Sequence, residues 1–135
     1  MPTAAPRNPS NYQSRWWASK DYASVSATTV YGLHKVKTRS IKVLRAHLHT
    51  DTTITVNASN YVNFQVLKGA TVIANWSTQT GQQGTITAGT PVELVLSGTL
   101  ANTFLADADL LTLSITITGT LTTPTGCLVV DGFEL

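Results

Sequence analysis

From about residue 25 onward the chain reads as short runs in which apolar and polar residues alternate with a period of two. Gly, Pro, Asn or Asp breaks these runs at intervals of about 8 to 12 residues, the spacing of an all-β sandwich or barrel. The clearest run places Leu111, Leu113, Ile115 and Ile117 on one face and Thr112, Ser114, Thr116 and Thr118 on the other. Val62, Phe64 and Val66 form a second such face. Lys68-Gly69-Ala70 then turns the chain into Val72, Ala74 and Trp76, which predicts a β-hairpin. Residues 25–33 predict an earlier strand, and residues 53–57 another with Ile54 and Val56 inward. Residues 92–96 add Val92, Leu94 and Leu96, and Leu128, Val130 and Phe133 close the chain.

Residues 41–49 carry an irregularity. Ile41 and Val43 set one phase, whereas Leu44, Ala46 and Leu48 set the other, so this strand holds a bulge or is buried on both faces. The expected core is Val43 or Leu44, Leu48, Ile54, Val56, Val62, Phe64, Val66, Leu94, Leu96, Leu113, Ile115 and Ile117. The stretch STQTGQQG at 77–84 offers no core residue and predicts an exposed loop, and residues 98–109 a longer connection. A short turn at 14–20 capped by Ser14 is the only helical signal. The fold class is therefore an antiparallel, jelly-roll-like β-sandwich of eight or nine strands.

The opening stretch differs. Pro2, Pro6 and Pro9 punctuate it, it is polar, and yet it holds Tyr12, Trp16, Trp17 and Tyr22 out of only ten aromatic residues. Proline cannot join a central sheet. The expected division is an extended N-terminal arm over residues 1–23 and a sandwich domain over 24–135, with Tyr12, Arg15, Trp16, Trp17 and Tyr22 as partner-binding anchors. Tyr, Trp and Arg are the residue types that contribute most per contact at interfaces. The opposing reading folds Trp16, Trp17 and Tyr22 back as a cap on the domain's own core.

Composition narrows the function classes. Of 135 residues, 42% are hydrophobic and only 12% charged, against a usual charged share of about 25%. Uncharged hydroxyl and amide side chains therefore make up much of the surface. Eight of the nine bases, Arg7 to Arg45, precede residue 51, while Glu93, Asp107, Asp109, Asp131 and Glu134 follow Lys68. These opposite charges either solvate two faces of one sandwich or complement each other between subunits or at an acidic partner. A net charge of +2, with bases spread over an arm and two strands and no recognition module, argues against nucleic-acid binding. Neither an apolar signal region nor a membrane-length apolar run occurs, so the expectation is a cytosolically made protein without membrane contact.

Candidate chemistry is sparse. His47 and His49, at i and i+2, share one strand face and invite comparison with the cupin HxH pair. The glutamate a few residues later is missing, and His34 precedes rather than follows, so neither a metal nor another cofactor is expected. Asp107 and Asp109 read as turn formers ahead of a strand. Cys127, the lone cysteine, reads as a small buried residue. The sequons at Asn57 and Asn75 mean little without a signal peptide. No phosphate loop or nucleophile motif is present, so no catalytic residue and no small-molecule substrate are expected.

The stretch GTPVELVLSGTLANTFLADADLLTLSITITGTLTTPTGCLVVDGFEL resembles the C-terminal half of jelly-roll proteins in tailed-bacteriophage virions, and the VLKGATVIANW hairpin is similar to the same group. The likeness spans roughly residues 38–135 and is one of strand texture. It implies a capsid decoration, or cement, protein: a homotrimer made in the host cytoplasm that sits on the outer virion shell, binds the major capsid protein and bridges capsomers. A trimeric receptor- or glycan-binding domain of a phage fibre is the alternative, although such domains present aromatics in their loops and the loops here lack them.

Overall fold

A computed structural model of the chain describes residues 14–135. Ten strands follow in order: β1 Arg15–Tyr22, β2 Thr29–Lys35, β3 Ile41–Thr50, β4 Tyr61–Lys68, β5 Thr71–Ser77, β6 Val92–Glu93, β7 Val95–Leu96, β8 Phe104–Leu105, β9 Leu110–Thr118 and β10 Gly126–Glu134. The one helical element among the described residues is a four-residue 3-10 turn, Leu100–Thr103. Sheet A runs β1-β10-β3-β6, with β8 also on β3; sheet B runs β2-β9-β4-β5-β7. Every strand pair is antiparallel.

The pairing is nested. The β4–β5 hairpin lies at the centre, and β3 with β6, β2 with β9 and β1 with β10 enclose it in turn, alternating between the sheets. This wrapping of one long hairpin into two layers is a jelly roll. The fold class expected from the sequence is what the chain adopts.

The core lies between the sheets, and alternation chose it. Ile115 and Leu113 of β9 pair with Phe64 and Val66 of β4, and together with Leu111 and Val62 they face Ile41, Val43, Ala46, Leu48, Leu128 and Val130 of sheet A, all buried. Burying each of the larger side chains, Val, Leu, Ile or Phe, stabilises the fold by about 1.5–3 kcal/mol. The β3 irregularity is a bulge: Asp131 pairs with Arg45 and Gly132 with Val43, leaving Leu44 as the extra residue, 44% exposed. Gly132 is required opposite the bulge, because a Cβ there would stand 1.9 Å from the Lys42 carbonyl oxygen.

Three expectations need correction. Residues 53–57 form no strand; Ile54 is buried through a single bridge to Ile86, but Val56 is 38% exposed. The Val56 N–H donates to the Thr85 hydroxyl, and the Asn57 side chain accepts from the Ser59 and Asn60 N–H groups, bending the chain away from the core. Leu96 and Ile117 pack only half-buried at the core's margin.

The largest correction concerns the arm. Residues 15–22, assigned to an extended arm and in part to a helical turn, form β1, paired with β10 from Arg15–Phe133 to Tyr22–Gly126. Trp16, Ala18 and Tyr22 are buried while Arg15, Trp17, Ser19 and Asp21 are exposed, a period-two pattern that polar composition hid. The ring of Trp16 meets His34 of β2 edge-on at 5.3 Å, Tyr22 lies 5.6 Å from Phe64, and the Lys20 ammonium sits 5.2 Å from the Tyr31 ring. All three prolines of the opening precede β1. Tyr12 lies outside the described residues.

Candidate partner-binding face

Because β1 alternates, its two tryptophans part company: Trp16 goes into the core and Trp17, 68% exposed, stands on the outer face of sheet A. Of the five anchors expected, Arg15 and Trp17 are therefore on the surface, while Trp16 and Tyr22 belong to the interior. Register places other residues beside the exposed pair. Arg15, Phe133, Lys42 and Phe104 form one row across β1, β10, β3 and β8; Trp17, Asp131 and Arg45 form the next.

The bulged Leu44 is exposed beside Arg45. The Lys42 ammonium lies 4.7 Å from the Phe104 ring centroid and also bonds the Thr103 hydroxyl. Arg45 Nε donates to Asp131 Oδ2 at 2.8 Å, which raises the guanidinium pKa further. This half of the face thus carries three bases, one acid and the exposed apolar groups Trp17, Leu44 and Phe104. The Arg45–Asp131 pair also accounts for part of the uneven charge along the sequence, since the wrap lays the last strand beside the third and joins early bases to late acids within one sheet.

Sequence reasoning missed Lys42, Leu44, Arg45, Phe104 and Phe133 as members of this surface. The signals that point to them are the phase slip at Leu44 and the odd-numbered positions of the closing strand, where Phe133 breaks the phase of Leu128 and Val130.

Farther along the same face, Ser19, Val129, His47 and Glu93 form a third row and Asp21, Cys127 and His49 a fourth. His47 and His49 do share a face, but His34 sits in the other sheet against Trp16. Among the described residues no group of three or more His, Cys, Asp or Glu side chains is disposed to hold a metal ion. Burial pushes the half-buried Cys127 thiol up to about 11, helped by a hydrogen bond and charge from Asp21, so at neutral pH it is the thiol and not the nucleophilic thiolate. Asp107 and Asp109 act as turn formers: Asp107 Oδ1 accepts from the Thr38 N–H at 2.9 Å and Asp109 Oδ2 from the Ala106 N–H at 2.8 Å. The loop at 77–84 is pinned rather than loose, with Gln83 Oε1 accepting from the Ser77 N–H and the Trp76 indole donating to the Gly84 carbonyl.

The outer face of sheet B has a different chemistry. Val30, Ser114, Gln65, Asn75 and Val95 form one row across all five strands, and Asn63 pairs with Thr116 in the next. No charged side chain stands in these rows; Lys35 and Lys68 sit only at strand ends. Charged side chains of the strands are thus concentrated on sheet A.

In comparisons with protein-family models and with curated protein sequences, no match to this chain was found. No helix among the described residues is long and apolar enough to cross a membrane.

Proposed function

We propose that the chain is a structural virion protein, a decoration or cement protein that assembles as a homotrimer and docks on the major capsid protein at the outer shell. The observation that carries this reading is the separation of chemistry between the two outer faces of the jelly roll. A neutral face such as the Val30–Val95 row of sheet B can be buried between subunits without desolvating any charge, so it suits the permanent contacts of self-association. A face that meets a different molecule gains orientation and rate from charge, and Trp17 beside Arg15, Lys42 and Arg45 suits an acidic partner surface with an apolar hollow. A cement protein needs both kinds of face at once. The resemblance of residues 38–135 to jelly-roll proteins of phage virions supports the same reading.

The test is cryo-EM of purified particles that contain the protein. Three copies around a local threefold on the shell exterior, with sheet A turned to the capsomers, support the proposal. Absence of the protein from particles, or its placement within a tail or fibre, overturns it.

A further inference from the structure

The loops at one end of the sandwich, 52–60 and 121–124, enclose an open groove of about 520 Å³ with Ser24 at its margin. That volume falls within the roughly 300–1,000 Å³ of small-ligand sites. No ionisable side chain lines it. Its polar atoms are hydroxyls and amides. Asn60 Oδ1 accepts from the Thr120 N–H and hydroxyl, and Asn57 Oδ1 from the Ser59 and Asn60 N–H groups. Both carbonyl oxygens are thus occupied, whereas the two Nδ2 amides and the Thr52, Thr55 and Thr122 hydroxyls have no hydrogen-bond partner among the described residues. Val56, Leu121 and Pro124 supply apolar contact between them, so the exposure of Val56 has a use.

The walls are fixed in advance. Thr123, almost fully buried, accepts from the Val25 N–H with its hydroxyl at 3.1 Å, and its own N–H donates to the Val25 carbonyl at 2.8 Å. Gly119, at φ 78°, lies so near Asn60 that a Cβ would approach Oδ1 to 2.2 Å. A site ordered before binding loses less entropy when filled.

We propose that this groove binds an uncharged, polyhydroxylated ligand, a neutral saccharide of one or two rings. Amide donors and hydroxyls match sugar diols, and small apolar side chains match the C–H faces of the ring. An anionic ligand loses hydration here without meeting a base, and a nucleotide finds neither a base for its phosphate nor an aromatic for its ring. The site is separate from the partner-binding face and does not depend on the proposed role in a virion. With no aromatic platform, ordinary ligand efficiency over the dozen or so heavy atoms of a hexose gives a dissociation constant of about millimolar size.

The test is a ¹H–¹⁵N NMR titration of the full chain with glucose, galactose, mannose and N-acetylglucosamine, using N-acetylneuraminic acid as the anionic probe. At least one neutral sugar should produce saturable shifts confined to residues 52–60 and 119–125, and the anionic probe none. Thr55→Val with Thr122→Val, both exposed positions, should keep the fold and weaken binding by about tenfold. Val56→Ser, a second variant, should also weaken binding by removing the apolar contact to the C–H face of the ring. No shift with any of the four neutral sugars, equal shifts with the anion, or unchanged binding by the variants would overturn the assignment.

Discussion

Trp16 and Trp17 are chemically identical neighbours that the fold sends to opposite sides of one strand, so truncating each to alanine separates folding from surface chemistry. Trp16, on β1, is 7% exposed and packs edge-on against His34 of β2. A buried tryptophan removes about 200 Å² from water, worth about 5 kcal/mol at 25 cal/mol per Å². Alanine retains a small part of this, and an edge strand relaxes more readily than a central one. Trp16→Ala should therefore cost about 3–4 kcal/mol, at the lower end of the range for large-to-small core changes. For a domain of this size that lowers the melting temperature by about 10–15 °C. Trp17, largely in water, should change stability by no more than about 0.5 kcal/mol when truncated. Urea denaturation followed by far-UV circular dichroism gives both numbers. Equal destabilisation by the two variants, or a silent Trp16→Ala, would refute the register of β1 against β10.

Deleting residues 1–22 removes β1 and with it Trp16, Ala18 and Tyr22 from the core, so the product should fail to fold and elute as aggregate in size exclusion; a monodisperse, β-rich product would show β1 to be dispensable. Gly132→Ala forces a Cβ against the Lys42 carbonyl at the β3 bulge and should destabilise the protein by about 1–3 kcal/mol, read as a drop in urea midpoint; wild-type stability would place the bulge elsewhere. With its thiol pushed up to about 11, Cys127 should react with iodoacetamide at pH 8 roughly a hundredfold more slowly than a free cysteine. Its neutral form is favoured in the folded state, so this contribution to stability is complete below the unfolded thiol's pKa, about 8.5, and is lost as pH rises toward 11. Tyr22, also raised by burial, acts in the same direction. Alkylation at the free-thiol rate, or stability flat to pH 11, would contradict that environment.

What could be read from the sequence follows from how each segment signals. β4 and β9 were legible because both alternate without interruption and both lie in the middle of sheet B, buried on one face only. The bulge in β3 was legible as a slip between Val43 and Leu44, although only the pairing with Gly132 decided between a bulge and two-sided burial. β1 was not legible, because its inward positions include Lys20, which closes the sandwich edge over Tyr31, and because the prolines upstream suggested an arm. Residues 53–57 misled in the opposite sense: their alternation is clean, but the side chain of Asn57 bonds its own backbone neighbours and prevents a ladder from forming. The candidate face was half legible. Arg15 and Trp17 were named, but Phe133, Lys42 and Phe104 join them only through pairings between strands distant in sequence, which local patterns do not encode.

The most direct test of the proposed attachment through sheet A is a decoration assay with particles that lack the protein. Wild type and Trp17→Ala, each shown to be folded, are mixed with the particles, and bound protein is measured after sedimentation across a range of concentrations. A buried aromatic anchor is worth on the order of 2 kcal/mol or more, so Trp17→Ala should shift half-occupancy to about thirtyfold higher concentration. Superimposable occupancy curves for wild type and Trp17→Ala would contradict the account and remove this face from the attachment surface.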